Sequence, residues 1–249
     1  MPSYEKPRMT IFRFMDIDFV LFSTTHIVTI GIFILVGALI FQLGQFWLGS
    51  PNQQGKINGL LVGLVLLAVL LPRGVSFILE EFSFATDLPI HICGVAPILL
   101  IGYLMFPGSA LFNILFYWIL SGGVLAFVFP TIDYQFPSTE FIFFFVSHGV
   151  PFMVLLYLIR ARGACPAVHG PWQAFFALNL YAIVVAMPIN QMIDANYLYL
   201  SEVPTLDLSL IYILPPWPWY LIIFDAFVLW LFLIIGRAIR SRVVTDNGV

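Results

Sequence analysis

The sequence predicts an all-α protein, a polytopic membrane bundle of about seven transmembrane helices. Composition is the first reason: 61% of the 249 residues are hydrophobic and 9% are charged, whereas roughly a quarter of a soluble domain is charged. The second is pattern, because the apolar residues gather into seven stretches, most of them near the ~20 residues of helix that cross a hydrocarbon core. A third observation bears on function. Nearly every ionisable side chain inside those stretches falls at one depth, near one face, and a charge or imidazole in hydrocarbon is costly enough to mark a site.

The first stretch covers 19–47 and stops at Gly49, Ser50, Pro51 and Asn52. It is too long for a cleaved signal and is expected to stay in the mature protein. The second, 57–82, ends ahead of Asp87, Leu88 and Pro89. The third, 89–106, and the fourth, 111–129, are the shortest, parted by Pro107, Gly108 and Ser109. Pro130 through Pro137 lead to the fifth, 140–160, and Gly163 through Pro171 lead to the sixth, 172–189. A connection too long for a mere turn precedes the seventh, 219–240. No internal repeat or low-complexity segment is visible. One domain over 1–249 is expected, with the bundle at 18–240 and an extracytoplasmic loop at 190–218.

A net charge of −3 and the lack of a basic tract leave no signature for nucleic acid or polybasic lipid binding. Cys93 and Cys165 are the only cysteines. The topology sets them on opposite sides of the membrane, which excludes a disulfide between them. No paired Cys/His ligand spacing occurs, so neither a metal nor another cofactor is expected.

Seven spans put the chain ends on opposite sides. Lys56, Arg160, Arg162, Arg237, Arg240 and Arg242 fall on one side, while the opposite connections hold Glu81, Asp87, Asp133, Asp194, Glu202 and Asp207 without Lys or Arg. The positive-inside rule then places the C-terminus in the cytoplasm and the N-terminus outside. Lys6, Arg8 and Arg13, interspersed with Glu5, Asp16 and Asp18, are outvoted. At 1.5 Å of rise per residue, Cys93, His26, Arg73, His148 and Asp225 lie roughly 6–14 Å below the outer interface. The inner half of the bundle reads as nearly featureless.

Cys93 follows Pro89, which suits a first helical turn capped by Asp87 or Leu88; the thiol is then expected in the second turn, where the helix dipole acts weakly. Pro97 has no N–H for the Cys93 carbonyl, so the helix should loosen there beside a polar cavity. The thiolate is the nucleophilic form of cysteine, and a small buried hydrophobe is the competing reading. His91, about 200° round the helix from Cys93, is expected to orient or bond a neighbouring helix. His148 is the better candidate base for the thiol, set against a structural histidine, and Gly149 beside it permits close approach of another helix. Arg73 needs Glu80 or Asp225 as a partner, and reads either as a structural ion pair or as an anion holder; His26 suits either purpose. Asn190, Asn196, Tyr197 and Tyr199, with Pro215 through Tyr220, form an interfacial aromatic belt or a lid over the site.

Three segments together resemble a known group. They are Leu88 through Cys93, the helix of His148, and Asn196 through Leu200 followed by Trp217 through Tyr220. They resemble the bacterial YwaF family of integral membrane proteins, whose eukaryotic relative is transmembrane protein 164, over most of the chain. The Leu-Pro-x-His-x-Cys start of the third helix is the most specific element. The resemblance implies a lipid acyltransferase of a bacterial cytoplasmic membrane, in which a membrane cysteine takes an acyl chain as a thioester with help from a histidine. By motif these are Cys93 and His148. A membrane phospholipid or another acyl lipid is then the partner, without nucleic acid.

Four functions compete. In acyl transfer or hydrolysis, Cys93 attacks an ester carbonyl and His148 moves the proton. Arg73, Asn190 or His91 steadies an oxyanion or head group, and Asn196, Tyr197, Asp225 and His26 complete the binding set. In a proton-coupled transporter, His26, Arg73, Glu80, His148 and Asp225 form a titratable pathway; the featureless inner half and the lack of an inverted repeat weigh against it. A metal or haem site on His26, His91 and His148 is the third. A non-enzymatic lipid-binding or assembly subunit is the fourth. The thiol chemistry is the function expected.

Overall fold

Apolar helices make up most of the computed structural model, which describes residues 17–47, 51–204 and 213–246. In chain order they are α1 (Thr24–Leu43), α2 (Pro51–Ile78), α3 (Ile92–Met105), α4 (Ser109–Val128), α5 (Thr139–Arg162), α6 (Gly170–Tyr181), α7 (Met187–Ile193) and α8 (Trp219–Asp246). A π turn over Ala182–Ala186 joins α6 to α7, so Gly170–Ile193 runs as one apolar rod. Among the described residues, six helices are long and apolar enough to cross a membrane, and α3 is a shorter seventh. The predicted bundle of about seven helices is therefore present. Helices are the answer that a bilayer enforces, since a backbone group without a partner inside hydrocarbon costs several kcal/mol. Lys6, Arg8, Arg13, Glu5, Asp16 and Asp207, which entered the orientation argument, lie outside the described residues.

The described residues fall into two compact units, one from Met1–Ser83 with Leu125–Gly163, the other from Phe84–Val124 with Ala164–Val249. In the first, α1 and α2 both pack on α5. Glycine makes the α1–α5 contact possible. A Cβ at Gly149 would stand 1.9 Å from Cε1 of Phe33, so the Phe33 ring occupies the space where a side chain would be. That ring lies 4.6 Å from Phe127 and 6.3 Å from Phe145, between centroids. Ser138 caps α5 by accepting the Phe141 N–H, and Gly163 ends it in the left-handed region at φ 62°. From its last turns, Arg160 donates to the Phe41 carbonyl and Arg162 to Oδ1 of Asn58, so α5 clasps both neighbours.

In the second unit α6 packs along α8, where Gly236 receives the ring of Pro171. The end of this unit where α4 and α6 begin, the inner one on the expected topology, carries polar groups that a nearly featureless inner half does not foresee. Asn113, 1% exposed, donates from Nδ2 to Oε1 of Gln173 at 2.5 Å and accepts the Ala167 N–H on Oδ1 at 2.8 Å. Trp118 donates to the Ala174 carbonyl at 3.1 Å. The physical reason is the loop at 163–170, whose backbone leaves helical bonding beside a dry helix pair and needs side-chain partners.

The fit at Gly149 gives a direct test. Gly149→Ala should destabilise the detergent-solubilised protein by about 1–3 kcal/mol through overpacking, read as a lower thermal midpoint. Adding Phe33→Ala should restore part of that loss. Unchanged melting in the single variant would show that the ring moves away freely.

Candidate functional site at the start of α3

The sequence places the start of the third helix at Pro89, but α3 begins at Ile92, with His91 as N-cap and no side-chain capping bond. The expectation that Asp87 or Leu88 caps the helix is corrected with it. Distant side chains explain the difference. In a helix begun at Pro89, the Ile90 carbonyl would accept the Gly94 N–H. Here that carbonyl accepts the Tyr181 hydroxyl at 2.9 Å, and the Gly94 N–H turns to the His91 carbonyl at 2.8 Å. The Ile90 N–H closes a tight turn onto the Leu88 carbonyl at 2.8 Å. Pro89 folds back over the first turn, so that a Cβ on Gly94 would meet its Cα at 2.7 Å.

Cys93 is therefore the second residue of α3, in its first turn, and is exposed. The expectation of a second-turn thiol with a weak dipole is corrected too. First-turn N–H groups have no carbonyl one turn back within their helix, and the positive end of the helix dipole acts within that turn. Pro97, buried inside α3, offers no N–H to the Cys93 carbonyl. Neither Cys93 nor Cys165 forms a disulfide.

Much of the predicted binding set gathers round this helix start. His91 accepts the Leu198 N–H on Nδ1 at 3.2 Å, and its ring lies 5.1 Å from that of Tyr197 and 5.3 Å from that of Tyr199. Its place at the N-cap makes the 200° reckoning inapplicable. Asn190 lies in α7 rather than in the loop, and is buried. Its Nδ2 donates to the Tyr197 carbonyl at 2.9 Å, and its Oδ1 accepts the Tyr197 N–H at 2.8 Å. Tyr197 is fully buried; its hydroxyl donates to the Phe84 carbonyl at 2.7 Å and accepts the Leu88 N–H at 3.0 Å. Asn196 binds within its own loop, accepting the Ser201 and Glu202 N–H groups and donating to the Glu202 carbonyl.

The remaining predicted residues make other bonds. Asp225 on α8 accepts from Nδ2 of Asn179 on α6 at 3.0 Å. Arg73 donates to the Val69 carbonyl of its own helix at 2.6 Å. His26, fully buried, uses both ring nitrogens on backbone: Nδ1 accepts the Phe22 N–H at 3.0 Å and Nε2 donates to the Phe127 carbonyl at 2.8 Å. His148, in the first unit, donates from Nδ1 to the Phe144 carbonyl at 2.7 Å. The neutral ring then carries its lone pair on Nε2. Among the described residues, no group of three or more His, Cys, Asp or Glu is placed to hold a metal ion.

Sequence reasoning missed Tyr181 and Gly94. The Tyr220 hydroxyl, in the aromatic run read as a belt or lid, donates to the Tyr199 carbonyl at 2.8 Å. For Tyr181 no local signal existed, since it acts on backbone far away in sequence. Gly94, directly after the cysteine, was legible as a point of close backbone approach.

The architecture defines an integral membrane protein of the polytopic helical class, with a cysteine at a braced helix start. A family model described as the TMEM164 family matches residues 21–236, and the chain belongs to that family. No curated protein matches the chain, and no solved structure does.

Gly94→Ala should cost about 1–3 kcal/mol, because the obstacle is the Pro89 backbone and overpacking cannot be relieved by a rotamer. It should also change the rate at which iodoacetamide modifies Cys93. Wild-type melting together with a wild-type alkylation rate would disprove the tight turn.

Proposed function

We propose that this TMEM164-family protein is a lipid acyltransferase in which Cys93 carries the acyl group. The observation that carries the proposal is an exposed cysteine in the first turn of a helix whose start is held by distant side chains. Buried structural cysteines are inert, whereas reactive ones sit at accessible, electropositive places such as helix N-termini. The resemblance of the Leu-Pro-x-His-x-Cys segment to a thioester-forming family supports the same residue.

The thiolate of Cys93 attacks the ester carbonyl of a membrane lipid, and a tetrahedral oxyanion forms near the positive end of α3. Its collapse breaks the C–O bond. The alkoxide leaves with the proton that His148 took from the thiol, and the acyl chain stays on sulfur as a thioester. An acceptor hydroxyl then attacks the thioester, its proton passing by way of His148 to the departing thiolate. His148 enters on its chemistry, as a ring with the lone pair on Nε2, and on the family resemblance. The acyl donor is a membrane phospholipid or another acyl lipid, and the protein works in a bacterial cytoplasmic membrane with its N-terminus outside. The arginines at the ends of α5 and α8 support that orientation.

A second reading draws on the polar groups at other levels of the second unit. Asn179 with Asp225, and Asn113 with Gln173 near the start of α4 and α6, put polar groups at two levels, as a proton-coupled carrier would need, with Asp225 as its titratable member. Flux into proteoliposomes that follows a proton gradient and is lost in Asp225→Asn would establish it.

The main proposal is tested by incubating purified protein with lipid bearing a labelled acyl chain. Label should attach covalently, be released by hydroxylamine, and vanish in Cys93→Ser while persisting in Cys165→Ser. His148→Ala should slow labelling by about 10²–10⁴-fold, the usual contribution of a general acid–base group. Label that survives Cys93→Ser unchanged ends the proposal.

A further inference from the structure

We infer that Tyr197 is a positioning residue for Cys93, setting where α3 begins rather than touching lipid. The inference rests on the reading of Cys93 as the acyl-bearing thiol. Tyr197 has no exposed surface, so its phenol cannot meet a substrate. It grips both ends of the turn ahead of α3, through the Phe84 carbonyl and the Leu88 N–H. Asn190 holds the Tyr197 backbone on both its N–H and its carbonyl. The next residue, Leu198, gives its N–H to His91, the N-cap of α3.

The loop forms a strap under tension. Leu198 and Tyr199 take φ of 59° and 55°, a left-handed conformation that non-glycine residues keep only where their surroundings over-determine it. Tyr220 fixes the Tyr199 carbonyl at 2.8 Å and Trp217 fixes the Leu200 carbonyl at 3.0 Å. What these bonds oppose is visible in the sequence itself. Proline is favoured in the first turn of a helix, so Pro89 invites α3 to start early. With the strap in place, the Phe84 carbonyl and the Leu88 N–H are committed to Tyr197, and His91 stays at the N-cap, where only its carbonyl enters helical bonding. Without it, only the Tyr181 hydroxyl on the Ile90 carbonyl still opposes the early start, and each time Pro89 through His91 join the helix Cys93 passes from the first turn to the second, away from the end where the dipole acts.

The test uses full-length protein in a Cys165→Ser background, leaving Cys93 as the single thiol. Tyr197→Phe keeps the ring and removes both hydrogen bonds of the phenol. Iodoacetamide needs no lipid site, and its reaction with Cys93 should slow about five- to tenfold, the size of a lost terminal dipole and its bonds. In the labelled-lipid assay the saturating rate should fall by a similar factor while the half-saturating lipid concentration stays put. His91→Leu, which cuts the strap from the helix side, should behave like Tyr197→Phe. His91→Asn, whose Oδ1 can replace Nδ1 as acceptor for Leu198, should recover most of the alkylation rate. Parent-like alkylation in a folded Tyr197→Phe overturns the inference, as does an effect confined to half-saturation, which would mean lipid contact. Where Tyr197→Phe does not fold, His91→Leu decides: a parent-like rate overturns the inference and a slowed one supports it. Slowed alkylation in a protein that never takes up label would uphold the positioning role and sink the acyl-transfer reading alone.

Discussion

The hydrogen-bonding demand of backbone that leaves the helix inside or beside a bilayer governs where this protein puts its polar side chains. Water is absent there, so each such N–H and C=O must find a partner within the protein. His26 answers for Phe22 and Phe127, Asn113 for Ala167, and Asn190 for Tyr197. Tyr181 answers for Ile90, and Tyr197 for Phe84 and Leu88. These bonds cluster where a helix begins or ends. Each offsets a desolvation cost of about 1–3 kcal/mol that an unmet polar group would leave behind. Depth alone therefore does not distinguish a catalytic histidine from one that completes a fold.

That distinction reorganises the polar layer that the sequence presents. His26 and Asn190 lie near the level of Cys93 in sequence terms, yet their side chains are committed to backbone on both sides. Cys93 differs in kind. A thiol is a weak hydrogen-bonding group and a poor choice for satisfying backbone, and this one is exposed at a helix end rather than buried in the core. The bonds of its neighbours converge on the segment just before it. A segment so heavily braced for the sake of one short helix is best understood through what the helix presents.

How much of this was legible in the sequence follows from the range of the forces. The seven helices were, because hydrophobic length against membrane thickness is a property of each stretch alone. The breaks at Pro107, Gly108 and Pro130 were placed well, since these residues act on their own backbone, whereas Pro51 and Asn52, read as a break, open α2. The start of α3 was not. Pro89 states a local preference for an early start, and it is overruled by phenols at Tyr181 and Tyr197, about a hundred residues downstream in the chain. The same limit hid the network at Asn113. An amide in the run Leu111 through Phe116 looks like an isolated polar residue until Gln173 and the Ala167 N–H meet it. Gly149 was the opposite case: its lack of a side chain announced a close neighbour, and Phe33 fills that role.

The displaced helix start also changes what chemistry a thiol there can reach. Three residues of helix correspond to roughly 4.5 Å of rise, which separates the end of an apolar rod from its interior. Ester bonds of membrane lipids lie at the boundary between acyl chains and head groups, and a nucleophile sunk a turn deeper would meet hydrocarbon only. On the proposed acyl-transfer reading, a thiol in the first turn would meet that carbonyl, with the positive end of the helix beside the oxyanion that develops there. The tension in the loop and the register of the helix are in this sense one feature. Leu198 and Tyr199 hold an unfavourable conformation while Pro89 is denied its favourable one, and on the proposed positioning role the balance between the two sets which turn of α3 carries Cys93.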